Sequence, residues 1–186
     1  LDPLWRRLPI DFLNARPFLE RTVQLVYRYT PVAGIGLALL DTSRRDLVTA
    51  IGHGAHSLPE VPWRPDHSSR GVAALAGFAL RNGVEAEVAN TRADAAYSAF
   101  GGEVDGEGWG AIRSALAVPV VVADRAMGVI AFTASRPEVL VPNRNFLRAA
   151  TQQICLSIVL AQQTEEHQAF AFASSTAIHA HEILKR

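Results

Sequence analysis

The stretch from Ile112 to Thr133 constrains the fold more than any other part of the chain. Ile112, Ser114, Leu116, Val118, Val120 and Val122 fall on alternate positions, the period of a strand with one buried face. A polar turn, Ala123-Asp124-Arg125-Ala126, separates this run from a second, Met127 to Thr133. The two runs predict a central antiparallel hairpin. A sheet built on such a hairpin needs helices to cover it, and the rest of the chain supplies them.

Helical spacing runs from Asp11 to Thr30, with Phe12, Leu19 and Val26 seven residues apart, Val23 and Leu25 near that stripe, and Glu20, Arg21 and Arg28 off it. Asp11 is a candidate cap and Pro31 ends the segment. Two short apolar runs follow, Val32 to Leu40 and Leu47 to Ile51, joined by a polar turn and read as a hairpin. The proline-rich stretch Ser57 to Ser69 is a loop. A helix from Val72 to Arg81 ends at Asn82-Gly83, and Val84 to Ala89 alternates as a strand with one wet face. Asn90 to Gly110 is irregular and glycine-rich. Pro142 and Asn143 open a long C-terminal helix whose apolar stripe is Leu147, Ala150, Ile154, Ile158 and Ala161. The expected architecture is α+β: a central antiparallel sheet of about six strands, with the N- and C-terminal helices on one face. The helix and loops of Ser57 to Gly110 cover the other.

Composition narrows the function classes. A chain of 186 residues allows one domain and little more. Lysine plus arginine and aspartate plus glutamate are 18 each, so bulk charge gives no hold on nucleic acid or an anionic membrane. Hydrophobic residues at 49% exclude a disordered chain, and charged residues at 19% hint that part of the surface is covered by a partner. Cys155 is the only cysteine, which excludes an intrachain disulfide and a cysteine-rich zinc site and suits a cytoplasmic setting. The longest apolar stretches reach about half of the roughly 20 residues a membrane helix needs. The start at Leu1 fits a piece of a longer protein or a trimmed N-terminus equally well.

The ordered succession of segments resembles the GAF domain, a small-molecule-sensing module of signalling proteins. The matching pieces are Leu19 to Val26, Ala33 to Asp41, Ser69 to Leu75, Asn90 with Asp94 and Tyr97, Ile112 to Pro119, and Met127 to Phe132. The resemblance spans residues 13–161, leaving 1–12 as a lead-in and 162–186 as a linker or signalling helix. It implies a pocket between the sheet and the segment 57–110, a small-molecule ligand, a homodimer through the terminal helices and an attached output domain. By matching segments it places Asp94, Tyr97 and Arg113 near that pocket, with Trp63 and Trp109 flanking it. Arg113 suits a carboxylate or phosphate; an ion pair with Asp94, Glu85 or Glu87 is the other reading. The tryptophans either stack on a ligand or simply cover the sheet.

The resemblance also bears on chemistry. Few members are enzymes, and one branch reduces free methionine sulfoxide with pocket cysteines. Cys155 lies on the apolar face of the C-terminal helix, so the expectation is that this chain is no enzyme. Bilin attachment lacks its cysteine. His53, His56 and His67, with Asp66, leave haem or a metal as a minor option, and the cyclic-nucleotide motif is out of register around Asn90 and Phe100. No cofactor follows from the residues. Ala180-His181-Glu182-Ile183 resembles the phosphoacceptor box of sensor histidine kinases but lacks the Pro-Leu that follows there, and a plain linker helix is the alternative. The expected function is a regulatory sensor, non-catalytic, or a dimerisation module of the same fold.

Overall fold

The computed structural model describes residues 8, 10–55, 58–59, 62–65, 69–93, 100, 111–160 and 163. Helix α1 (Ile10–Tyr29) leads into strands β1 (Gly34–Leu40) and β2 (Leu47–Gly54). Then come α2 (Gly71–Asn82), β3 (Ala86–Val88), β4 (Ser114–Val122) and β5 (Arg125–Ala134). A 3-10 turn over Val141–Asn143 opens α3, helical over 144–160. The strands form one antiparallel sheet in the order β2-β1-β5-β4-β3, so the predicted hairpin β4–β5 sits inside it. The α+β expectation holds, with five strands among the described residues.

Each face of the sheet carries its own core. On one face Phe12, Leu19, Val23 and Val26 of α1 and Leu147, Ile154 and Ile158 of α3 pack on Leu37, Leu116, Ile130 and Phe132. On the other, α2 packs on Ala38, Ala115, Ala117, Val129 and Ala131. The helix-ending signals act as expected at two places. Gly83 takes φ 64 and its N–H donates to the Leu80 carbonyl at 3.4 Å, while Val84 N–H donates to Ala79. Pro31 bars the preceding residue from the helical region, and α1 stops at Tyr29.

Leu25, near the α1 stripe and not on it, is half exposed. Two local expectations are corrected. Asp11 lies inside α1, which starts one residue earlier. Ile112 belongs to the α2-side core, away from Leu116, because β4 begins only at Ser114 and the alternation does not extend back past it.

Candidate functional site

The face that meets α2 is built from small side chains. Of the seventeen buried residues in this core eight are alanine, against four of twenty-five in the core under α1 and α3. The outer wall of this side is Trp63. Its backbone pairs with the free edge of β2: Leu47 N–H donates to the Trp63 carbonyl at 2.7 Å, and Trp63 N–H donates back at 2.9 Å. This bridge carries the sheet one step beyond β2. The indole then turns into the α2-side core, only 8% exposed. Its Nε1 is buried and has no hydrogen-bond partner among the described residues. Trp63 therefore covers the sheet, and in addition holds an unused donor inside it.

Arg113 stands at the other corner. Its N–H donates to the Ala134 carbonyl at 2.7 Å and its carbonyl accepts from Thr91 N–H at 2.9 Å, which places it at the start of β4. Trp63 lies beyond the start of β2. Between them are four strand spacings across the sheet and about the 8-residue length of β2 along it. At about 4.8 Å per spacing and 3.3 Å per residue the diagonal is roughly 30 Å. The structure does not bring these two candidates together. Asp94, Tyr97 and Trp109 lie outside the described residues, as do His56, His67 and His181.

Both glutamates weighed as partners for Arg113 are engaged elsewhere. Glu85 accepts two hydrogen bonds from Arg148, one of them 2.6 Å from Nη2 to Oε2, and Glu87 pairs with Arg144. The fit follows from two periods: Glu85, just before β3, stands two residues from Glu87, the strand period, and residues i and i+4 share a face of α3. A third tie, Glu138 N–H donating to the Ala89 carbonyl at 2.7 Å, closes the end of the strand. The Glu85 carboxylate beside Arg148 pushes that guanidinium above its ordinary pKa. Sequence spacing carried this signal at Glu85/Glu87 and Arg144/Arg148, but nothing in it said that the two pairs would meet.

His53 does not face the α2 side. A bulge in β2 opposite Leu37/Ala38 leaves Ala50 and Ile51 both in the core under α1, which reverses the alternation beyond them. His53 consequently packs edge-on against Tyr27 of α1, with ring centroids 4.4 Å apart. It borders a shallow cavity of about 420 Å³ between α1 and β2 with Arg16, Glu20 and Gln24. No group of three or more histidine, cysteine or acidic side chains suited to a metal occurs among the described residues. Cys155 packs on the core under α3, and burial raises its thiol pKa.

The family profile of the GAF domain matches residues 15–159. The chain belongs to the GAF domain family. No curated protein matches it in sequence. Among solved structures, the GAF domain region of a putative membrane protein from Geobacter sulfurreducens superposes with a TM-score of 0.64 at 14% identity, covering 81% of this chain and 96% of that one. The GAF-B domain of DevS from Mycobacterium smegmatis gives 0.59 at 16%, covering 82% and 98%. Free methionine-R-sulfoxide reductase from Neisseria meningitidis, in complex with its substrate, gives 0.59 at 19%, covering 78% of each. At these identities the likeness is one of fold. The last comparison overturns the expectation that this GAF chain is no enzyme: the same fold carries a reductase, so belonging to it leaves catalysis open. Among the described residues no helix is long and apolar enough to cross a membrane.

Proposed function

We propose that this GAF domain is a regulatory sensor that takes a small molecule on the α2 side of its sheet and reports through α3 to an output domain of a cytoplasmic signalling protein. The observation that carries this reading is the placement of β3. The strand follows α2 through Gly83, and Glu87 within it and Glu85 just before it are bound to Arg144 and Arg148 of α3. The layer that would hold a ligand and the helix that would leave the domain are thus tied to the same short segment, residues 85–88. A ligand that favours one packing of α2 over another can shift α3 by no more than that difference in affinity.

Trp63 and Arg113 are proposed ligand contacts at separate ends of this side, with Asp94, Tyr97 and Trp109 carried as sequence-based candidates. The domain is proposed to act as a homodimer through α1 and α3. Phe18, Leu25 and Tyr29 of α1 and Phe146, Leu156 and Leu160 of α3 are 48–69% exposed, and large apolar residues left exposed on both terminal helices favour a covering partner. The same residues favour the second reading, a dimerisation module whose α2 side takes no ligand. A thermal-shift screen against cyclic nucleotides, haem, nucleobases, amino acids and aromatic acids, with sizing, separates the two. A saturable rise in midpoint supports the sensor. Silence across the panel from a stable dimer refutes it in favour of the module.

A further inference from the structure

Among the described residues, the Trp63 Nε1 is the one side-chain polar atom buried in the α2-side core without a partner. The Trp63 indole can only donate, and its buried Nε1 finds no acceptor among the described residues. Buried donors are nearly always paired in native proteins, so an indole N–H with no partner among the described residues suits an acceptor on a bound molecule. The indole is also held in place in advance. Both backbone hydrogen bonds to Leu47 fix its strand position, and the chain just after it is pressed on α2 at Gly77, where a Cβ would stand 3.3 Å from Pro65 Cα.

The surroundings decide what kind of acceptor fits. Leu47, Leu58 and Ala76 are among the apolar side chains buried with the indole, and Thr49, half-buried on the same face of β2 as Leu47, gives its hydroxyl to the Pro59 carbonyl at 2.6 Å. Among the described arginines around this end of the sheet, Arg64 pairs with Asp46 at 3.5 Å, Arg81 donates to the Pro65 carbonyl, and Arg45 and Arg70 are exposed at the surface. Arg113 is at the opposite corner of the sheet. A carboxylate or phosphate placed against Nε1 would lose its water with no buried cation among the described residues to replace it. We infer that Trp63 serves an uncharged, largely apolar molecule that offers a carbonyl or ring-nitrogen acceptor to the indole N–H. This rests on the sensor reading and narrows it: anionic ligands are excluded from the Trp63 end of the site.

The test uses matched probes with one body and different heads: benzamide, benzoate and toluene. The readout is the indole N–H cross-peak of Trp63 in ¹⁵N-labelled protein, assigned by its loss in Trp63→Phe. Benzamide should move the peak downfield in a saturable way, with benzoate and toluene each at least about tenfold weaker, a step of about 1.4 kcal/mol. Trp63→Phe should erase the preference for benzamide over toluene while still melting cooperatively. Should that variant not fold, Trp5→Phe and Trp109→Phe assign the peak by elimination, and the wild-type titration decides. An unmoved peak with benzamide, or benzoate binding as well as benzamide, overturns the inference. The second of those results leaves the sensor reading standing, whereas the broad screen's silence would remove that reading itself.

Discussion

Replacing Glu87 by glutamine keeps the shape of the side chain and removes the charge that Arg144 faces. The cost can be worked from exposure. An ion pair in open solvent contributes about 0–1 kcal/mol, and breaking a fully buried one costs about 3–5 kcal/mol. Glu87 is 16% exposed and Arg144 37%, and the Arg144 Nε is itself buried without a partner, so the pair lies between those limits. We expect Glu87→Gln to lose about 1–2 kcal/mol, Arg144→Met a similar amount, and the double variant clearly less than the sum. The coupling should be near 1 kcal/mol, above the roughly 0.3–0.5 kcal/mol within which independent sites add. Urea unfolding of all four proteins measures it, with unchanged m-values as the check that the unfolded state is the same. Repeating the cycle at about 1 M salt should leave most of the coupling, since buried pairs are weakly screened. Simple additivity would refute the reasoning: β3 and α3 would then lie side by side without being joined, and the proposed route from α2 to α3 would lose its middle link.

Two other outcomes follow from local geometry. Ala123 and Asp124 hold φ of 48° and 59° in the β4–β5 turn, a conformation that suits Asn-Gly, so Ala123→Asn with Asp124→Gly should gain about 1 kcal/mol and raise the melting midpoint by roughly 2–4 °C; a lower midpoint would contradict the turn assignment. Cys155, whose pKa burial raises, should react with a disulfide reagent at pH 8 more slowly than a free thiol. Because the folded pKa is the higher one, its share of stability is complete below the unfolded thiol pKa and is lost as pH rises through the folded value. Cys155→Ala should flatten that slope, and an unchanged slope would assign it to another group.

Regular periods made most of the fold legible. Alternation found the β4–β5 hairpin, the seven-residue spacing of Phe12, Leu19 and Val26 found the buried side of α1, and Asn82-Gly83 found the end of α2. What escaped depends on departures from period. One extra residue in β2 turned His53 from the α2 side to Tyr27, and a strand starting two residues late moved Ile112 to the other core. The candidate site was harder still. Its position flanking the pocket segment makes Trp63 a candidate, but the orphaned Nε1 exists only once Leu47, Leu58 and α2 have closed around it. The Glu85–Arg148 and Glu87–Arg144 pairs join residues far apart in the chain, which no local pattern can match up.

The unequal filling of the two cores has a kinetic side. Alanine buries little apolar area, so lifting α2, with Ala73, Ala76 and Ala79 facing Ala115, Ala117 and Ala131, exposes far less than parting Phe12, Leu19 and Leu147 from Phe132. The α2 layer is therefore expected to open as a unit at a lower free energy than global unfolding, with its backbone amides the first to exchange with solvent. A molecule bound under that layer would enter and leave at the rate of this local opening, while the α1–α3 core stays shut.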